Sequence, residues 1–296
     1  MAEQALVGVQ SAATVVAVQA DSDEMLACLW LHGRAANTVS SYRTSLVQFQ
    51  AEVGLPLHQV TLGALQGWAD RLAEAGLSPK TCVVRLAAIK SLFAFGLRLG
   101  YLPVDVSAAL RLPKLRDKLS ERILLEEQVQ RMLAVQDDPV AHALVRLFYV
   151  CGVRISEAIA LRWTDLVRRQ SGGQATVFGK GGKTRAVLIP MGLWKELAAL
   201  RSTSQPDEAV ISGADGRPLN RSAAHRLVKR VAERAGVPAA SAHWLRHSHI
   251  SHALDNGCSS VVVRDTAGHA SLTTTSRYAH ARPGQSSSTF IREDAK

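Results

Sequence analysis

The sequence predicts a mainly α-helical protein with one small antiparallel β element, built as two domains. Three observations lead there. The chain has 296 residues, 47% apolar and 20% charged, which is enough apolar mass for two cores. Apolar residues recur at helical spacing through most of its length. One stretch, 175–190, turns β-prone on either side of a run of glycines and lysines.

The elements follow in order. Residues 1–21 read as an arm. The stretch from Ala5 to Ala20 is apolar, lacks a basic leader and is too short to span a bilayer, so it predicts neither a secretory signal nor a membrane helix. Residues 22–112 predict a bundle of about four helices. Asn37, Thr38, Ser40 and Ser41 offer caps before the periodic run Tyr42, Leu46, Phe49. A second run begins near Thr61 and reaches Leu72. Ser78-Pro79 then gives a cap with proline in the first turn of a helix that ends near Leu99, at Gly100. Residues 113–122 carry charge with little periodicity and read as an exposed linker.

The second domain is expected over residues 123–281. Leu125-Glu126-Glu127 leads one helix, and an almost wholly apolar helix runs from about Val140 to Val150. Cys151-Gly152-Val153 breaks it, and Ser156 is expected to cap the next helix, with Glu157 in its first turn. Strands at 175–178 and 184–189 flank Gly179-Lys180-Gly181-Gly182-Lys183 as a hairpin. Helical patterns return from Leu193, and 282–296 is a tail.

Charge narrows the function. The formal net charge is +10 and the sequence pI about 9.8, the footprint of a polyanion binder. Residues 22–112 hold 8 basic and 6 acidic residues; residues 123–281 hold 20 and 13, so the surplus lies in the second half. Cys28, Cys82, Cys151 and Cys258 form no CxxC pair, which argues against a disulfide framework or a zinc finger.

Five local features could carry chemistry. Arg154, at the mouth of a helix beside a glycine break, can present a guanidinium to a phosphate or simply pair with Glu157. Lys180, at the hairpin tip, can reach a phosphate or stay solvated. Its glycine run is no nucleotide-binding P-loop, because the required first glycine position holds Val177 and the flanks are strands. His243 and Arg246, three apart, place a proton-transfer group and a phosphate clamp on one helical face. His243 and His247 have metal-site spacing but lack the accompanying glutamate. Gly268-His269 can end one helix and offer a donor. Tyr278, on a stretch rich in Ser, Thr and Arg, is expected to be exposed, and a phenol can serve as a covalent nucleophile.

Each feature is weak alone, but their order is informative. Read as CGVRISE, GKGGK, HWLRH and GHASLTTTSRY, they give R, K, HxxR, H and Y in one basic domain. In this the chain resembles the tyrosine recombinases, the lambda-integrase-like family, and it is similar in length to its Xer members. The resemblance covers about 22–281. It implies an N-terminal SAM-like helical core-binding domain, to which TVSSYRTSLVQF is similar, and a C-terminal catalytic domain, together forming a C-shaped DNA clamp. Cys151 departs from the threonine common before Gly-x-Arg, and the arm-binding domain of larger phage integrases is not evident.

The resemblance assigns the catalytic set Arg154, Lys180, His243, Arg246, His269 and Tyr278, with no cofactor and no metal. Tyr278 would attack a phosphodiester and trap the 3′ phosphate. Arg154, Arg246 and His269 would stabilise the charge that develops, Lys180 would protonate the leaving 5′ oxygen and His243 would assist proton transfer. The expected partners are double-stranded DNA at a specific site and further copies of the chain, two per site and four in a synapse passing through a Holliday junction. The C-terminal segment Ser286–Arg292 could dock on a neighbour. A cytoplasmic, nucleoid-associated enzyme of DNA integration, excision or dimer resolution is the expectation. A type IB topoisomerase and a catalytically silent DNA-binding regulator are the rival readings.

Overall fold

The computed structural model describes residues 19–135, 137–179, 182–203 and 205–279. Residues 1–18 of the expected arm, the catalytic candidate Lys180 and the expected tail 282–296 therefore lie outside the described residues. The chain divides into two units between Arg116 and Asp117.

The first unit is helical. Its helices are α1 (Asp23–Leu31), α2 (Ala36–Val53), α3 (Leu62–Glu74) and α4 (Pro79–Arg98). Three have the caps their sequences supply: Ser22, Thr61 and Ser78 each accept a hydrogen bond from the backbone N–H three residues on. Helix α2 differs from expectation. It starts at Ala36 behind Ala35, which gives no side-chain cap, so Asn37 and Thr38 lie inside the first turn. Trp30, Phe49, Trp68, Leu86, Ile89 and Phe93 fill the core. The Phe49 ring meets Trp68 edge-on at 5.0 Å, an arrangement that adds to simple burial.

The second unit combines helices with a small sheet, against which α8 and α11 pack. In order come α5 (Glu126–Ala134), α6 (Pro139–Val150), α7 (Ile155–Ala160), β1 (Leu166–Arg169), β2 (Gly172–Phe178), β3 (Thr184–Pro190), α8 (Met191–Ala199), α9 (Arg221–Arg234), α10 (Ala242–Asp255), α11 (Ser260–Ala267) and α12 (Leu272–Ala279). The strands run antiparallel in the order β1-β2-β3. β2 and β3 are the expected hairpin, with Phe178 opposite Thr184 and Gly172 opposite Pro190. Strand β1 was not anticipated, because its four residues, Leu-Val-Arg-Arg, are too few to show a period. Val187 and Ile189 of β3 point into the core while Ala186 and Leu188 face out, the alternation a half-buried strand requires.

Helix α6 is buried along Ala141, Leu144, Val145, Leu147 and Phe148, and it packs against α10. Asp138 caps it, accepting from the N–H groups of Val140 and Ala141. Among the described residues no helix is long and apolar enough to cross a membrane.

Candidate active site

The site is assembled at three places in the second unit: between α6 and α7, at the turn end of the β2–β3 hairpin, where Arg185 stands opposite Val177, and between α11 and α12. Gly152 makes the first break with φ +60. A side chain there would also collide with the His249 ring, at 2.4 Å, so glycine is needed both for conformation and for space. His249 in turn bonds to the Tyr149 carbonyl at 2.8 Å. Helix α7 then begins two residues earlier than expected. Arg154 is its N-cap, and the Glu157 carboxylate accepts the Arg154 backbone N–H at 2.7 Å. Glu157, not Ser156, satisfies the helix end.

Glu157 is buried and gathers cations. It accepts from the Arg154 guanidinium at 2.8 Å. It also binds Arg185 of β3 through both oxygens, at 2.9 and 2.7 Å. Burial by itself would raise this carboxyl, but the hydrogen bonds from Arg185 and Arg154 outweigh it and bring the group to about 2. Arg185 also donates to the Thr266 carbonyl near the end of α11, at 2.7 Å. The pairing of Arg154 with Glu157 was one of the two readings the sequence offered, but the hold of Glu157 on Arg185 was not expected and Arg185 was not singled out. The signal for Arg185 was present: it stands at the same parity as Val187 and Ile189, a charge on the core side of a strand.

The end of α11 is where the guanidiniums meet. Gly268 takes the left-handed conformation, φ +64, that closes the helix. A Cβ on it would press into the Arg185 side chain at 3.1 Å. Arg154 donates to the Gly268 carbonyl at 3.1 Å. Arg246 of α10 is buried and donates to the carbonyls of Ala267 and Gly152. Burial lowers the Arg246 guanidinium to about 10, with Arg154 contributing, so it stays charged at neutral pH. Two cations thus converge on consecutive carbonyls immediately before His269.

His269 bonds through Nδ1 to the Thr275 hydroxyl of α12 at 2.9 Å, and its ring stacks on Tyr278, centroids 6.1 Å apart. Burial, then Arg246, lowers its imidazole to about 4. Tyr278 corrects the expectation of exposure: it is 5% exposed. Thr275 and Tyr278 are three apart on α12, so both turn inward. There Tyr278 joins Ile250, Leu254, Val263 and Ala267 in a small apolar cluster, while Ser276 and Arg277 stay outside. Arg277 instead pairs with Asp117 at 2.7 Å. Burial raises the Tyr278 phenol, although Arg246 and Arg277 draw it down.

His243 and Arg246 do not share one environment as their spacing predicted. Arg246 is buried, whereas His243 is exposed and its ring meets His247 edge-on, centroids 5.0 Å apart. The side chain that reaches the Tyr278 hydroxyl is His247, at 2.5 Å. Four of the six sequence candidates, Arg154, Arg246, His269 and Tyr278, thus come together around the α11–α12 turn, and His243 adjoins them through the His247 ring. The sixth is Lys180. Among the described residues no three His, Cys, Asp or Glu side chains are grouped to hold a metal ion.

A helical N-terminal unit and a catalytic-type unit whose arginines, histidines and tyrosine converge at one turn define a class, the enzymes that exchange DNA strands through tyrosine. Comparison with known proteins places the chain in it. Residues 122–285 match the Phage integrase family, and residues 23–100 match the phage integrase N-terminal SAM-like domain. The tyrosine recombinase XerC of Xanthomonas campestris pv. campestris is 34% identical over 259 residues, covering 83% of this chain and 79% of that protein. Two solved structures share the fold. A lambda integrase dimer bound to a COC' core site has a TM-score of 0.72 at 18% identity, over 93% of this chain and 79% of that one. A lambda integrase tetramer bound to a Holliday junction has a TM-score of 0.68 at 17% identity, over 84% and 78%. The chain belongs to the phage integrase family, and through it to the site-specific tyrosine recombinases.

Proposed function

We propose that this recombinase cuts and rejoins DNA through a covalent bond between Tyr278 and a 3′ phosphate, without metal or ATP. The observation that carries the reading is the meeting of Arg154 and Arg246 on the consecutive carbonyls of Gly268 and Ala267, with Tyr278 packed beside them on α12. A phosphodiester seated there is an anion whose transition state carries more charge on its non-bridging oxygens. Arg154 and Arg246 hold those oxygens, and His269 adds a donor. Preorganised cations of this kind supply the largest single share of such catalysis. Lys180 protonates the leaving 5′ oxygen, and His243 assists proton transfer near the site. The phosphotyrosine bond keeps the energy of the broken phosphodiester, so a second DNA end can be joined without a nucleotide.

Two protomers act at each site and four in the synapse, a reading supported by the dimeric and tetrameric DNA complexes of the lambda integrase that shares this fold. The exchange serves integration, excision or dimer resolution, and the protein works on DNA in the cytoplasm, at the nucleoid. The net charge of +10 supports this location.

The test begins by mapping covalent protein–DNA complexes on genomic DNA to obtain the target site. A nicked duplex carrying that site then traps the covalent adduct. Tyr278→Phe is expected to bind this duplex with near-normal affinity and to form no adduct. An adduct persisting in that variant would move the nucleophile elsewhere, and loss of cleavage in EDTA would end the metal-free account.

A further inference from the structure

Helix α12 turns Tyr278 inward and Arg277 outward, and one short segment is fastened at both places. Asp117 and Leu119 belong to the stretch 113–122 that the sequence marks as a linker. Leu119, with Ile123, packs on the apolar cluster that encloses the Tyr278 ring. Two residues earlier, the Asp117 carboxylate meets Arg277 on the outer side of α12. One of its oxygens accepts the Leu119 backbone N–H at 3.0 Å, which fixes the carboxylate. The other accepts from the Arg277 guanidinium at 2.7 Å. Both side chains of the pair stand in water, Arg277 58% and Asp117 59% exposed, whereas the neighbouring Tyr278 is closed off.

We propose that this pair is a latch that DNA opens: Arg277 leaves Asp117 for a phosphate beside the scissile one, and the exchange frees α12 to carry Tyr278 to phosphorus. The proposal rests on the reading of Tyr278 as the nucleophile. A phenol shut into an apolar cluster reaches a phosphodiester only if the helix that bears it shifts. Arg277 directly precedes Tyr278, so a pull on one moves the other. Asp117 touches no DNA in this account and acts only by holding Arg277.

Three properties suit the pair to this exchange. An ion pair in water is weak and favours its closed form by about fivefold at most, so a better partner displaces it. A phosphate is such a partner, because it takes a guanidinium through two parallel hydrogen bonds. The segment around Asp117 is also basic: residues 113–122 hold Lys114, Arg116, Lys118 and Arg122 against Asp117 and Glu121. The DNA backbone that draws in those cations repels the Asp117 carboxylate. Finally, burial raises the Tyr278 phenol and the Asp117 charge adds to that, against Arg246 and Arg277. The closed latch thus resists loss of the phenolic proton as well as motion of the helix.

The experiment uses the full-length protein, the nicked target duplex and three variants: Asp117→Asn, Arg277→Gln and the two combined. Amide exchange of the DNA-free protein follows the latch without cleavage. Both single variants should speed exchange over 272–279 by about two- to fivefold, the range of an exposed ion pair. The salt dependence of binding follows the phosphate contact. Arg277→Gln should make the slope of log affinity against log salt shallower by about one, while Asp117→Asn keeps the wild-type slope. Adduct formation with DNA well below saturation follows the exchange itself. Asp117→Asn should be about two- to fivefold faster than wild type, Arg277→Gln slower, and the double variant close to Arg277→Gln. A pair that only braced the fold would slow both single variants. Adduct formation by Asp117→Asn no faster than wild type, wild-type amide exchange in that variant, a slope unchanged by Arg277→Gln, or an equal gain from Asp117→Asn without Arg277 would each overturn the latch. An adduct in Tyr278→Phe would overturn the nucleophile reading separately, since amide exchange and salt slope involve no cleavage and still judge the latch.

Discussion

Two arginines proposed to hold the same phosphate are supported in opposite ways. Arg246 is 3% exposed, and its guanidinium satisfies the Gly152 and Ala267 carbonyls. The Arg154 side chain is 34% exposed and leans on Glu157, which Arg185 would still hold if Arg154 were removed. Arg246→Lys should therefore affect both fold and catalysis. A single ammonium cannot copy the planar fork, and a buried carbonyl left unmet costs about 1–3 kcal/mol. Arg154→Ala should leave stability almost unchanged. Both should slow adduct formation by roughly 100- to 1,000-fold, the scale of losing one preorganised donor. Calorimetry of the second unit beside adduct rates separates the two effects. Equal melting temperatures in the two variants would mean that the carbonyl contacts of Arg246 hold nothing together.

At the scale of elements, Arg185 joins three segments that carry catalytic candidates. It sits on β3, one side of the hairpin whose turn contains Lys180. It holds Glu157 at the start of the helix that Arg154 caps, and it reaches the Thr266 carbonyl just before Gly268 and His269. Its side chain is 11% exposed and that of Glu157 3%, so removing one partner leaves a buried charge poorly matched. Such losses run to about 3 kcal/mol or more. Arg185→Gln is expected to destabilise the second unit on that order and to lower adduct formation without weakening DNA binding. Adding Glu157→Gln should recover part of the stability, since the buried carboxylate left with Arg154 alone is then gone. A double variant no more stable than Arg185→Gln would contradict the pairing argument.

The same elements show what the sequence can reveal. Helices α3 and α4, the apolar α6 and the β2–β3 hairpin were legible, because each announces itself by cap, period or glycine turn. The order of the motifs also picked out the candidates Arg154, Lys180, His243, Arg246, His269 and Tyr278, of which Arg154, Arg246, His269 and Tyr278 meet at the α11–α12 turn. The ion pair of Glu157 and Arg185 was not legible, because it spans 28 residues of chain: the core-side parity of Arg185 marks a buried charge but does not name its partner. His247 was noticed only as a possible metal ligand, since nothing in its spacing says that α12 brings Tyr278 onto it. The burial of Tyr278 was missed for the same reason. Among the described side chains of this polar-looking helix only Thr275 and Tyr278 turn inward, and which ones do depends on the helices beneath it.

For the whole molecule the decisive feature is how many histidines the second unit keeps uncharged. Burial lowers His247 to about 3 and His249 and His269 to about 4, from an ordinary 6.5. Between pH 6.5 and about 4, therefore, the unfolded chain binds protons that the folded one refuses. Unfolding free energy falls with acidification wherever the unfolded state holds more protons. Each histidine adds a slope of at most about 1.4 kcal/mol per pH unit. Glu157, depressed to about 2, continues the loss below its ordinary 4.5 with the same sign. Urea unfolding of the DNA-free protein should show the second unit at full stability above pH 7, weakening steadily from pH 6.5 towards 4. His249→Gln, which removes one of these protons at a residue outside the proposed chemistry, should flatten that decline while lowering stability at pH 7. A second unit equally stable at pH 7 and pH 5 would mean that these imidazoles are not shut away from water.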